Sequence, residues 1–366
     1  MPRLDQIIMF ESQTVAILHY FTVEGGENNQ DPVLPLDTVE EKNGNDGDNE
    51  ISHETCDMVD CGTQVDFDFE ERFVASILKS DKKLFSATGL HNVLLLNSLT
   101  KNFDRIAPES LHKKFTLCTR DRIILTMMKI KLAVSFSALA ALFDLSVQTC
   151  SYYFYDTVSI LAKILGPAVK WPDKEAILKN LPKSFDNFTS TRAILDAFEI
   201  AIEKPKCIKC RVRSWSQYKG KQTAKALMIC TPSGLISKTC LVFGGRASDK
   251  VVTQNSGIYD LCDPVTDSLM VDKGFNIDEE CQNHLIKLIR PPFMRQNKNF
   301  SKAESVQCAK IARARVHVER VIQRVRQYHI LKNPVPWTIV PCLDDLIVIV
   351  SALVNLGPPI MSTDKY

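Results

Sequence analysis

The chain has almost no net charge. Its 45 Lys and Arg nearly cancel its 43 Asp and Glu, leaving +2, so no overall field argues for a polyanion or a membrane surface as partner. It also lacks a long apolar run. The most hydrophobic segment, LDDLIVIVSALVNLG at 343–357, carries Asp344 and Asp345 and is shorter than the roughly 20 residues a bilayer span needs, so a buried helix is expected there and no membrane partner. No secretory leader is visible, because Asp5 and Glu11 lie too close to the short apolar stretch of MPRLDQIIMF. The cysteines sit mostly inside apolar runs (Cys118, Cys150, Cys230, Cys240, Cys342), as expected of free buried thiols in a reducing compartment. Zinc-finger spacing is missing: neither His53 with Cys56 and Cys61 nor the Cys207–Cys210 pair of CIKC has a second ligand pair. No internal repeat stands out.

What the average hides is an asymmetry. Residues 24–71 are rich in Asp and Glu with almost no Lys or Arg, whereas 204–225 and 287–332 are basic. Three regions are expected. Residues 1–80 read as an acidic, largely disordered leader, since EKNGNDGDNE cannot bury a core, although FEERFVASILKS suits a short helix. Residues 81–170 read as helical. Residues 190–360 read as an α/β domain.

Within the helical region, Thr119 or Asp121 is placed to cap a helix through RIILTMMKIKL. Phe136, Leu139, Ala140 and Phe143 share one face of a second helix. Asp144–Leu145–Ser146 makes a turn, and Val147 opens a third helix containing Tyr152, Tyr153, Phe154 and Tyr155. The pattern fits a helix-turn-helix and equally two packed helices of an all-α subdomain. From residue 190 the texture turns to strands. RAILDAFEIAI (192–202) has Asp196 at its centre, and AKALMICT (224–231) and LISKTCLVF (235–243) flank the hairpin turn Pro232–Ser233–Gly234. GGRASDK leads into a helical stretch. SLMVDKGF, a short helix NIDEECQN, the strand HLIKLIR and a long helix at roughly 303–328 follow. A hairpin meander continued by α/β crossovers is the connectivity of a mixed sheet covered by helices.

Three acids stand out. Asp272 stops the apolar run Leu269–Met270–Val271, with Gly274 allowing a turn after it. A carboxylate at the end of a buried strand needs a partner, because burying it alone is costly. Asp196 lies mid-strand, and Glu319 lies within VHVERVI of the long helix. The first and fourth strands are expected to be neighbours, with the late helix across them. Converging carboxylates repel and stay ionised only if cations neutralise them. An all-oxygen donor set selects hard ions such as Mg²⁺ or Mn²⁺, and two such ions suit phosphodiester cleavage. The same residues also allow a structural reading, each acid being ion-paired; Glu319 has Arg315 four residues before it and Arg320 beside it.

The stretches RDRIILTMMKIKLAVSFSALAALFDLSVQT, WPDKEAILKNLPKSF, TRAILDAFEI, SWSQYKGKQTAKALMICTPSG, FGGRASDK, VDKGF, RVHVERVIQRVR and LVNLGPPI occur in order across about two-thirds of the chain. Together they resemble DDE transposases of the PIF/Harbinger-like group, the DDE superfamily endonuclease type. The resemblance implies a ribonuclease H-like catalytic core behind a helix-turn-helix, and a catalytic, metal-binding triad that falls on Asp196, Asp272 and Glu319. The 46 residues between the last two (273–318) suit the family's spacing. It further implies a transposase that cuts and joins DNA with two divalent cations, Mg²⁺ or Mn²⁺. Water attacks a phosphodiester to release a 3′-hydroxyl, which then attacks target DNA. The alternative it leaves open is a transposase-derived, non-catalytic nuclear protein that binds DNA or protein. A role for Asp249 of RASDK, as helix cap or as an assistant to the site, also comes with the family motif; the cap is the expectation, with Ser248 as competitor.

A DNA-cutting core needs cations for phosphates. Lys204, Lys206, Lys209, Arg211, Arg213, Lys219, Lys221 and Lys225 lie in one stretch with Trp215 and Tyr218, a mixture suited to holding and stacking on a distorted strand. Lys209, Arg211, Arg213, Trp215, Tyr218, Lys219, Lys221 and, from the long helix, Arg320 are the expected nucleic-acid contacts. The helix after Ser146 carries no Arg or Lys before Lys163, and its aromatic run suggests packing. No separate N-terminal zinc-finger module of the kind family members often carry is visible. A partner protein is therefore a possible source of end recognition. Paired-end chemistry implies a homo-oligomer, and the inferred substrate implies the nucleus.

Overall fold

In the computed structural model the chain is described over residues 69–107, 117–292 and 301–360. The acidic stretch up to residue 68, with His53, Cys56 and Cys61, lies outside the described residues.

Among the described residues the helical region contains six α-helices: α1 (Phe69–Leu78), α2 (Asp81–Thr88), α3 (Val93–Ile106), α4 (Thr119–Leu132), α5 (Phe136–Leu142) and α6 (Val147–Leu165). Side-chain caps start four of them. Ser80, Asn92, Ser135 and Ser146 each accept a hydrogen bond from the backbone N–H three residues on, satisfying an otherwise orphaned donor. α4 starts differently from expectation. Neither Thr119 nor Asp121 caps it; Cys118 holds the N-cap position without a side-chain bond, and the Thr119 hydroxyl donates to Asp104 Oδ1 at 2.6 Å. Asp144 takes φ 45° between α5 and α6, a left-handed conformation that Asp tolerates, and Leu145 N–H returns to the Ala140 carbonyl at 2.9 Å. The helix-turn-helix outline therefore forms, and its aromatic run packs: Tyr153 and Phe154 are buried, and Phe154 meets Phe136 edge-on at 5.6 Å.

After a short helix α7 (Lys174–Lys179), the described residues form seven strands: β1 (Thr191–Ala201), β2 (Trp215–Ser216), β3 (Lys221–Cys230), β4 (Ile236–Lys238), β5 (Phe243–Gly244), β6 (Ser268–Met270) and β7 (Lys287–Ile289). β1 pairs antiparallel with β3 and parallel with β6, and β6 pairs parallel with β7. β4 and β5 join β3, giving a mixed sheet with β1 near its centre and β2 at the outer edge of β3. This antiparallel meander followed by parallel crossovers is the expected ribonuclease H-like order. The expected strand at 235–243 is broken, and the reason is local. Between β4 and β5, Val242 N–H donates to Asp344 Oδ1, so a helix intercepts a bond the sheet would have used, and the Asn355 side chain binds both backbone groups of Ile236 at the start of β4.

That helix is α13 (Leu343–Asn355). The remaining helices are α8 (Ile208–Ser214), α9 (Asp249–Gln254), α10 (Asp278–Asn283), α11 (Lys302–Val325) and α12 (His329–Lys332). Strand alternation divides β1 between two cores. Ile194, Phe198 and Ile200 face a large cluster shared with α4, α6, α11 and α13; Ala193 and Leu195 face a smaller one with Val252 and Cys281. Each fully buried Leu or Ile contributes on the order of 1.5–3 kcal/mol, and the large cluster ties the helical region and the sheet into one continuous core. Among the described residues no helix is long and apolar enough to cross a membrane.

Candidate active site

Asp196 lies on β1 opposite Met228 of β3, on the face that carries Ile194 and Phe198. β6 runs beside β1 with Met270 opposite Ile194. Two residues further along each chain, Asp272 comes level with Asp196. Val271 N–H still bonds the Ile289 carbonyl at 3.0 Å, so the segment stays in line beyond the end of β6. The turn after Asp272 closes through Phe275 N–H to the Asp272 carbonyl at 3.1 Å. Gly274 is not among the glycines at positive φ, and a Cβ added there would meet nothing, so the turn does not depend on glycine.

α11 crosses the same face. Ile311, Ala314, Val318, Val321 and Ile322 enter the large core, which leaves Arg315 and Glu319, one turn apart, on a neighbouring flank. A capping box at Ser301 and Glu304 fixes where this helix begins. It ends at Val325, a few residues short of the expected end.

The two aspartates share a cation. Arg315 Nη1 donates to Asp272 Oδ1 at 2.7 Å, and Arg315 Nη2 stands 3.9 Å from Asp196 Oδ1. The ion pair that spacing allowed between Arg315 and Glu319 gives way to this one. Burial pushes the Asp196 carboxyl up to about 6; Arg315 opposes the rise, and Asp272 and then Glu319 add to it. Both other acids thus act on Asp196, although Glu319 is exposed and Asp272 half-exposed. Among the described residues no three His, Cys, Asp or Glu side chains stand close enough to share one metal ion as placed. The donor chemistry nevertheless fits a hard cation: the acids offer oxygen alone, and a positive group already sits between two of them.

A second acid–base set lies on the opposite face of β1. Glu199 accepts from Thr223 Oγ1 at 2.8 Å and stands 3.9 Å from Lys225 Nζ, which donates to Asp249 Oδ1 at 3.0 Å. Ser248, not Asp249, caps α9, accepting from Val251 N–H. Asp249 is therefore a structural partner of Lys225 across the sheet from Asp196, and Lys225 is withdrawn from the basic surface.

The other expected phosphate and base contacts gather at the β2 edge. Lys209, Arg213, Trp215, Tyr218, Lys219 and Lys221 are exposed, and Lys219 Nζ sits 4.7 Å above the Tyr218 ring. Arg211 is partly committed, its Nε donating to the Pro205 carbonyl at 2.6 Å. Gly244 and Gly245 let the following loop press against this element: a Cβ at Gly245 would collide with Thr223 Oγ1, and one at Gly244 with the Arg213 carbonyl. That docking brings Arg246, which sequence reasoning did not single out, to an open cleft of about 280 Å³ with Arg211, Val212, Trp215, Gln217 and Gln222. Arg320 is elsewhere, on α11 beside Glu319 and half-buried. Cys207 and Cys210 lie at the start of α8 and hydrogen-bond each other, which lowers the Cys207 thiol.

Two family models match the chain. Residues 195–355 match the DDE superfamily endonuclease, and residues 115–167 match the helix-turn-helix of DDE superfamily endonuclease. No curated protein matches with significant similarity. The first match spans Asp196, Asp272 and Glu319; the second spans α4 to α6.

Proposed function

Since both matched segments describe one DDE superfamily transposase-like protein, we propose that the chain is a nuclear transposase of the PIF/Harbinger-like group, cleaving and joining DNA phosphodiesters at Asp196, Asp272 and Glu319. The observation that supports this reading most is the placement of Asp196 on β1 and Asp272 just beyond the end of the adjacent parallel β6, bridged by one cation.

In this reading Asp196, Asp272 and Glu319 hold two divalent cations, Mg²⁺ or Mn²⁺. When bound, these supply Lewis-acid stabilisation of the oxygens at the reacting phosphorus. The chain's own residues do the rest. β1 holds Asp196 by backbone pairing, and the Val271–Ile289 bond holds the segment that carries Asp272, so their spacing is set before DNA arrives. Asp196, the most buried of the three, must be ionised to act as a ligand, which its raised range delays until above about pH 6. Lys209, Arg213, Lys219 and Lys221 hold phosphates along the β2 edge, and Trp215 and Tyr218 offer ring faces to unstacked bases. α6 presents Val147 and Gln148, not basic residues, at its exposed start, so the sheet edge carries more of the DNA affinity than the helix-turn-helix. Assembly as a homo-oligomer, with end recognition lent by a partner protein, belongs to the same proposal.

The test is nicking of supercoiled plasmid with Mn²⁺ by the wild type and by Asp272→Asn. Cutting by the wild type alone supports the reading. Equal cutting by both overturns the assignment, and cutting by neither favours a DNA-binding protein that has given up catalysis.

A further inference from the structure

Arg315 does not belong to the proposed triad, yet its guanidinium lies between Asp196 and Asp272. Resting on the proposed triad, we infer that Arg315 is an exchangeable cation: it holds Asp196 and Asp272 in place without metal and is displaced when a divalent ion binds. Four observations carry this. Its guanidinium spans both aspartates, donating to Asp272 at 2.7 Å and standing 3.9 Å from Asp196. The second contact exceeds hydrogen-bonding distance, so the fork is seated well on one side only. Its Nε is buried with no hydrogen-bond partner, leaving the side chain under-satisfied where it is. Asp272 is half-exposed while Arg315 is 12% exposed, so an ion can reach the carboxylate from solvent without first unpacking the helix.

The energetics favour exchange over a permanent pair. Without a cation, two level carboxylates repel each other, and Glu319 adds to the repulsion. Arg315 relieves that at the metal-free stage and keeps the strands in register. A divalent ion brings twice the charge to the same oxygens. It cannot share them with a guanidinium about 4 Å away without strong repulsion. The two are therefore competitors, and Arg315 is a positioning residue whose presence weakens metal binding while it preserves the geometry.

The experiment uses the full chain and Mn²⁺ alone. Calorimetric titration and thermal melting, in chelator and in Mn²⁺, compare the wild type, Arg315→Gln and Asp272→Asn. Exchange is supported if Arg315→Gln binds Mn²⁺ at least about tenfold more tightly than the wild type, melts lower in chelator, and gains more from Mn²⁺. A merely structural arginine would not raise the metal affinity when removed. If Asp272→Asn loses binding yet Arg315→Gln binds no more tightly than the wild type, the triad stands and the exchange is overturned. If Asp272→Asn binds as the wild type does, the triad reading itself falls. Should Arg315→Gln not fold, Arg315→Lys keeps a cation without the fork. An affinity above the wild type supports exchange, and one equal or lower overturns it.

Discussion

Buried cations occur in both halves of the molecule, and their surroundings differ. In the helical region they face rings. Arg122, 1% exposed, lies 5.1 Å from the Phe103 centroid and 5.5 Å from that of Tyr153; Lys129 sits 4.4 Å over Phe136, and Lys131 lies between Phe85 and Tyr328. At the sheet, Arg315 faces carboxylates. A ring offers a cation its face but is no ligand for a metal ion, so those contacts serve packing, with each charged group's stem filling the core. A pair of aspartates is a metal ligand set, so the cation beside it has a competitor. Residue type is shared, and Lys225 leans on carboxylates as well; Arg315 differs in spanning two aspartates of which one also feels Glu319.

The comparison can be broken at several points. The largest effect is expected on the ring side. Tyr153→Ala should cost about 3–5 kcal/mol of stability by urea unfolding, through the cavity it leaves under Arg122; a cost under about 1 kcal/mol would show that the ring does not support the core. On the carboxylate side, Asp196→Asn should lower Mn²⁺-dependent nicking by at least about a hundredfold with the melting temperature retained. Unaltered nicking would remove Asp196 from the site.

The pH dependence separates the halves further. The Asp196 carboxyl is held at about 6 against 3.8 for an ordinary aspartate. The folded chain therefore binds more protons than the unfolded chain between those values. This group's contribution to metal-free stability grows as pH falls through 6 and levels off below 3.8, about 3 kcal/mol at most. Asp196→Asn should flatten that part of the profile, read by unfolding at pH 4 to 7. An unchanged slope would mean that burial does not raise this carboxyl. At the β2 edge, Trp215→Ala should weaken binding of a single-stranded oligonucleotide by about 1–3 kcal/mol if a base stacks there, measured by fluorescence anisotropy; no change would make the aromatic edge a bystander. The smallest effect is expected for Lys129→Met, within about 1 kcal/mol, since the stem volume is kept and only the contacts to Phe136 and the Val134 carbonyl are lost. Its nicking should match the wild type.

Much of this was legible in the sequence. β1, β3 and the crossover elements follow from apolar alternation and turn residues. Asp196 and Asp272 could be placed together because one lies on, and the other just after, a strand whose order the connectivity implies. What could not be read depends on partners distant in sequence. Asp344 takes the Val242 N–H where the strand after Gly234 is interrupted, from more than a hundred residues away. The choice of Arg315 between Glu319, four residues along its own helix, and two aspartates on separate strands is decided by how α11 crosses the sheet. Lys225 looked like part of a basic surface until the sheet paired it with Glu199 and Asp249.

The most direct test of the central claim, that Asp196, Asp272 and Glu319 form one metal site, is the number of Mn²⁺ ions bound at pH 7.5 by equilibrium dialysis, for the wild type and for each single Asp→Asn or Glu→Gln variant. Tight binding by the wild type that weakens in all three variants is the expected result. Binding that survives all three substitutions, or that depends on only one of them, would contradict a shared site.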